Sequence, residues 1–376
     1  MRNSKKPLKV LLFGNTGAGK TSILAQLLSE RNLKELSLKN NILLEINGQD
    51  SNDFIKSAES VMANFFKPNI PIPNSKDAEI RDIYSKFPIY AYPTENLYEV
   101  SLSVKNANGK KLLQKINFTD FSGNLLIYEG IHVDKYSKKK CNEITNMVKE
   151  SDVILIAIDS VDLMENNSYL YDSMLMLLDC LKQCYKQNSK IEKMIVFVPV
   201  KFEKYYKLNK ETLSYNIGKG AEYNDFMSKF YSRHSALLDW LKNPTRSAQF
   251  EVSVLPILTL GNVQFAEFDK NQQNLLDTDV RIPLYEYDEI IIDENEENTV
   301  KTSNDIPKYA PSFCQYPMNF VLSYLVDKIL LSKTKRLSKL AFSDKILNAL
   351  KQGMVTDFQS APEDYPHTVI QSKIFK

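Results

Sequence analysis

Eight consecutive residues carry the clearest chemistry in this 376-residue chain. Gly14, Asn15, Thr16, Gly17, Ala18, Gly19, Lys20 and Thr21 follow the spacing G-x4-G-K-S/T. A loop that wraps a polyphosphate must curl so that successive backbone N–H groups point at phosphate oxygens. Glycine permits that curl and lets the main chain approach closely. A helix starting at the loop aims its positive end at the same charge. Lys20 is then the residue that reaches the β- and γ-phosphates and Thr21 the hydroxyl that ligates Mg²⁺, with Ser22 completing the nucleotide-binding set. The chain has only 11 glycines, and three of them fall within six residues here, so chance is a poor explanation.

Such a loop works only between a strand and a helix, and the flanking sequence predicts both. Leu8 to Phe13 is a short apolar run bounded by glycine, which predicts a buried strand. Ser22 to Glu30 places Ile23, Leu24, Leu27 and Leu28 at helical spacing. Phe54 to Phe66 also reads as a helix, and Pro68, Pro71 and Pro73 then force an extended stretch. Tyr98 to Val104 and Leu112 to Phe118 read as strands joined by an Asn108-Gly109 hairpin. Further strands are predicted at Val153 to Ile158, Ile191 to Val198 and Val252 to Leu260, with helices at 169–185, 225–241 and 317–331. Residues 262 to 310 read as irregular. Strands alternating with helices imply a mostly parallel sheet covered on both faces.

The ends of these strands hold further candidates. Asp120-Phe121-Ser122-Gly123 follows the second hairpin strand. An acidic residue there can hold Mg²⁺ through water, and the Gly123 N–H can contact a γ-phosphate. Tyr92-Pro93-Thr94-Glu95-Asn96-Leu97-Tyr98 leads into the first hairpin strand, Pro199-Val200-Lys201-Phe202-Glu203 ends a later strand, and Thr259-Leu260-Gly261 ends the next.

In that order, the phosphate loop, P-T-x3-Y, hairpin and D-x-x-G resemble a Ras-like GTPase of the TRAFAC class. The resemblance implies an α/β P-loop NTPase three-layer sandwich whose mostly parallel sheet has one antiparallel edge strand. It implies that Thr94 ligates Mg²⁺ and contacts the γ-phosphate. It also implies that Pro199 to Glu203 stands where GTPases place N-K-x-D or T-K-x-D. Lys201 would pack its stem on guanine and Glu203 would replace the aspartate; Val200 departs from the pattern, having no polar group. The resemblance spans residues 8–30, 92–260 and 311–331. It leaves a GTPase-like domain over 1–331 with insertions at about 31–91 and 262–310, and a C-terminal tail at 332–376 with a short helix near 342–350. A narrower similarity, carried by Val198 to Glu203 and Phe313 to Pro317, is to bacterial double-GTPase-type proteins of conflict systems.

The implied reaction is attack of water on the γ-phosphate of GTP, giving GDP and phosphate. Asn124 stands where Ras-like proteins carry a water-orienting glutamine, one methylene shorter. Glu129 and His132 are further candidates for that role, and Arg81 is the one for an arginine finger. With none of them compelling, turnover is expected to be slow until a protein partner or self-association accelerates it. The alternatives are a scaffold that binds nucleotide with little hydrolysis, or a P-loop ATPase or kinase. The latter suits a chain with only seven arginines poorly, because it lacks an arginine-rich lid.

Composition narrows the partners. A net charge of +2, from 48 basic and 46 acidic residues, gives no electrostatic case for nucleic acid. No apolar run approaches the length of a membrane span. Cys141, Cys180, Cys184 and Cys314 lack zinc-site spacing, and their number in so long a chain argues for free thiols in a reducing cytoplasm.

Overall fold

The computed structural model describes residues 6–15, 17–64, 87–88, 97–121, 126, 135–164, 170–202, 207–209, 214–216, 221–259, 263–268, 283–287, 291–292, 300–301, 311–334, 344–359, 365 and 367–375. Eight strands form its main sheet: β1 (Leu8–Phe13), β2 (Ile42–Asn47), β3 (Tyr98–Asn106), β4 (Leu112–Asp120), β5 (Val153–Asp159), β6 (Lys193–Val200), β7 (Phe250–Val254) and β8 (Thr368–Gln371). Their order is β8-β7-β6-β5-β1-β4-β3-β2. The five central strands, β7 to β4, are mutually parallel.

Period-two alternation splits the core into two layers. From β1, Val10 and Leu12 face one side, where α1 (Lys20–Leu27), α2 (Glu30–Lys39) and α3 (Gln49–Asn64) contribute residues. Leu11 and Phe13 face the other, against α4 (Lys135–Glu150), α6 (Leu170–Gln187) and α7 (Ala221–Lys242), with the short α5 (Ser160–Met164) preceding α6. β5 and β6, covered on both faces, are buried throughout and read as nearly continuous apolar runs.

The sheet is mostly parallel, as expected, but its antiparallel pairing extends beyond one edge strand. β3 pairs antiparallel with β4 through the turn at Asn108-Gly109, where Gly109 has φ 69°. β3 is not the edge, because β2, from within the first insertion, pairs outside it. At the opposite edge β8 runs antiparallel to β7.

The described part of residues 31–91 therefore contributes most of α2, all of α3 and the sheet strand β2. Residues 262–310, read from sequence as irregular, contain strands Val263–Phe268 and Pro283–Tyr287, paired antiparallel, with Phe87–Pro88 added beside the latter. Segments of the two insertions thus pair with each other. β7 stops at Val254 rather than near Leu260. Pro256 removes a donor from the ladder, yet Leu255 N and Ile257 N still donate to Phe197 O and Pro199 O at 2.8 and 3.0 Å.

The segment after Ser332, read as a tail with a short helix, contributes the 16-residue helix α9 (Asp344–Gln359) and β8. The cause lies in α8 (Gln315–Thr334), which has Pro317 in its first turn and is buried from Tyr316 to Val326. A helix that is apolar on every side needs cover all round. α9 supplies part of it, and Phe375 stacks on Phe320 with ring centroids 3.8 Å apart. The four cysteines are free, as expected. Among the described residues, no helix is long and apolar enough to cross a membrane.

Candidate functional site

The chain leaves β1 toward β4 on one side and then crosses to β5 on the other. β1 is therefore a topological switch point, and the crevice at the carboxyl ends of such strands is where α/β sheets bind ligands. Four adjacent parallel strands end there: β4 at Asp120, β1 at Phe13, β5 at Asp159 and β6 at Val200. β4 runs two residues beyond its predicted end, and this registers Asp120 against Leu12 at the root of the loop.

The loop is packed against its neighbours by the absence of side chains. Gly14 has φ 141°, and a Cβ there would meet Ala157 O at 3.0 Å. Gly19 has φ 92° and ψ 20° and forms the N-cap of α1. A Cβ on Gly19 would meet Val200 Cγ2 at 3.0 Å. Ala18 N closes the turn onto Asn15 O at 3.2 Å. The loop curls directly into α1, which begins at Lys20 and holds Thr21 and Ser22 in its first turn. The fold is that of a P-loop NTPase.

Lys20 Nζ lies across the loop, donating to Gly14 O at 2.8 Å and to Asn15 O at 3.0 Å. Burial lowers its pKa to about 8, against the opposing pull of Asp120. Thr21 Oγ1 donates to Asp120 Oδ2 at 2.7 Å. Asp120 is fully buried, and its carboxyl pKa is raised by desolvation despite Thr21 and Lys20. Among the described residues, its Oδ1 has no hydrogen-bond partner. An orphaned buried carboxylate oxygen costs free energy unless a ligand or water engages it. Hard oxygen donors from a hydroxyl and a carboxylate, with one oxygen uncommitted, fit Mg²⁺ held partly through water.

On the far side of the loop, Lys201 stands one residue past β6 with φ 54°. Its Nζ donates to Gly17 O at 3.1 Å and forms an ion pair with Asp159. Sequence reasoning missed Asp159. The only signal for it was a single acidic residue closing the apolar run of β5. Val200, read as a departure for want of a polar group, packs against Gly19 as a brace. Thr259 is buried, and the preceding Leu258 bridges Ser312 through two 3.0 Å hydrogen bonds, tying this loop to the start of α8.

The structure thus brings together Gly14, Asn15, Gly17, Ala18, Gly19, Lys20, Thr21, Ser22, Asp120 and Lys201. Thr16, Thr94, Gly123, Asn124 and Glu203 lie outside the described residues, as do Arg81, Glu129, His132, Leu260 and Gly261. Among the described residues, no group of three or more His, Cys, Asp or Glu side chains is placed to hold a metal by itself.

The tight seat of Gly19 gives a first expected result. Gly19→Ala forces a side chain into left-handed backbone, at about 1–2 kcal/mol, and drives Cβ against Val200. Urea unfolding should show a loss of about 2–3 kcal/mol. In a Val200→Ala background, which carries its own cavity cost, Gly19→Ala should cost only the backbone part. No further loss in that background would mean that the backbone angle is unimportant.

No protein-family model matches the chain, and no curated protein does. Among solved structures it is similar to the S. cerevisiae Ski7 GTPase-like domain bound to GTP, at 17% identity and TM-score 0.33, over 68% of this chain and 44% of that one. The same domain bound to GDP and inorganic phosphate matches at 16% identity and TM-score 0.27, over 67% and 43%. The signal recognition particle receptor SRb-GTP/SRX complex from Chaetomium thermophilum matches at 14% identity and TM-score 0.31, over 68% and 93%. The chain spans less than half the length of the Ski7 chains it matches. With scores this low, the fold assignment rests on the strand order and the phosphate loop.

Proposed function

We propose that this protein binds guanine nucleotides with Mg²⁺, hydrolyses GTP slowly to GDP and phosphate, and serves as a nucleotide-controlled switch for a protein partner. One observation carries the nucleotide reading: Lys20, Thr21 and Asp120 converge beside a glycine-shaped loop, with a buried oxygen of Asp120 left without a partner among the described residues. Lys20 and the loop amides would hold the β- and γ-phosphates. Thr21, and Asp120 through water, would hold Mg²⁺, which neutralises phosphate charge when bound. Lys201 would lie beneath the base. Within this proposal Thr94 completes the metal set, Gly123 senses the γ-phosphate, Glu203 reads guanine and Asn124 positions the water. Each of these four roles comes from the resemblance to Ras-like GTPases. So does the finer kinship with conflict-system double-GTPase-type proteins. The pairing between segments of the two insertions favours that region as the partner surface, because it links the chain upstream of Thr94 to the chain beyond Thr259.

Phosphate release from GTP, followed with and without Mg²⁺, tests this reading. Slow release that needs Mg²⁺, and that Asp120→Ala reduces about tenfold or more, is the expected result. Tight binding with no release would leave a nucleotide-dependent scaffold. Release that favours ATP would indicate an ATPase.

A further inference from the structure

Asp159 belongs to none of the motifs that mark the phosphate loop, yet it is buried at the carboxyl end of β5 beside that loop. Its Oδ1 accepts the backbone N–H groups of Val161 and Asp162 at 3.1 and 3.2 Å, which caps α5. Its Oδ2 takes the Lys201 ammonium, and that ammonium also donates to Gly17 O. One carboxylate therefore joins three elements: the start of α5, the residue after β6, and the tip of the phosphate loop. Lys201 reaches this position from left-handed backbone, a conformation that a non-glycine residue keeps only where its surroundings over-determine it.

We propose that Asp159 is a positioning residue of the nucleotide site, holding Lys201 across the phosphate loop so that loop and base platform are fixed before nucleotide binds. The proposal rests on the reading of this site as a guanine-nucleotide site. The physical case is one of preorganisation. A lysine stem is flexible, and fixing it on ligand binding would weaken affinity through lost rotamer freedom. The ion pair fixes it beforehand. The pair is also neutral as a unit, so Asp159 adds no net repulsion toward a polyphosphate. Without Lys201, the same carboxylate becomes an uncompensated buried charge beside the loop.

That asymmetry separates positioning from simple helix capping. In Asp159→Asn the amide oxygen still caps α5, while the charge that holds Lys201 is gone. The expected result is an approximately tenfold rise in the Kd for fluorescent GDP. Lys201→Met should weaken binding more, and the double variant should bind no worse than Lys201→Met alone, since the two residues act as one unit. Wild-type affinity in Asp159→Asn, or losses that multiply in the double variant, would overturn the proposal.

A second readout needs no nucleotide. Amide hydrogen exchange over residues 14–21 in the nucleotide-free protein should be about tenfold faster in Asp159→Asn than in wild type. Unchanged exchange would overturn the proposal. If the wild-type protein binds no guanine nucleotide, the functional reading fails, and the exchange measurement alone decides the role of Asp159.

Discussion

Replacing Lys20 with methionine is expected to abolish the proposed nucleotide binding and to stabilise the nucleotide-free protein. The two effects share one cause. Lys20 is 5% exposed, and among the described residues two backbone carbonyls and a nearby carboxylate replace water around its ammonium. Burial disfavours its charged form, lowering its pKa from 10.5 to about 8. At about 1.4 kcal/mol per unit, this corresponds to about 3 kcal/mol of unfavourable burial at neutral pH, where the amine is protonated whether the chain is folded or not. Methionine has similar length and no charge. It leaves Gly14 O and Asn15 O without that donor, which offsets part of the gain. A net stabilisation of about 1–2 kcal/mol in urea unfolding is the expected outcome. Against it stands a rise of at least about 100-fold in the Kd for GTP, because a buried cation facing phosphate is a strong, charge-assisted contact. A residue kept at a cost to stability is kept for function. A variant that is less stable and still binds would contradict both halves.

Acidification from pH 7 to pH 4 costs the fold about 3 kcal/mol through His234 alone. His234 is 2% exposed within α7, at a point where the backbone leaves helical geometry at φ −106° and ψ 15°. Among the described residues neither ring nitrogen has a hydrogen-bond partner, and the ring stands edge-on to Phe230 with centroids 5.1 Å apart. Burial lowers its pKa from 6.5 to about 4, and the charge of Arg233 pushes the same way. The folded state therefore favours neutral imidazole. This contribution to stability is fully present above pH 6.5 and is lost as the pH falls through about 4. In His234→Leu the acid-dependent part should vanish, and stability at pH 7 should be equal or higher, because two unsatisfied nitrogens are removed. Urea unfolding of both proteins at pH 7, 5 and 4 measures this. Parallel pH profiles would show that His234 takes its proton without penalty.

How much of this was legible beforehand depended on whether local pattern or distant contact sets each feature. The phosphate loop is local. Its glycines must meet backbone constraints within a few residues, so Gly14 to Thr21 could be read directly, and the apolar runs of β1, β5 and β6 announced a sheet covered on both faces. Asp120 could be placed because it closes a strand. β2 and β8 were missed because each gains its meaning from a partner far along the chain: Ile42 pairs with Asn106, and Val254 with Thr368. The C-terminal segment looked like a tail because the demand for it is written elsewhere, in an α8 that is apolar on every side. Asp159 illustrates the same limit at the site. No spacing rule links residue 159 to residue 201. Only the parallel pairing of β5 with β6, which sets Asp159 against Val200, brings the carboxylate to the lysine.

The proposed guanine-nucleotide site of the loop, Asp120 and Lys201 is tested most directly by equilibrium binding of fluorescent GDP in the presence of Mg²⁺, competed by unlabelled GTP and ATP. Saturable binding that GTP displaces, that ATP at 100-fold excess leaves in place and that Lys20→Met abolishes is the predicted result. Displacement by ATP as readily as by GTP, or binding that survives Lys20→Met, would contradict it.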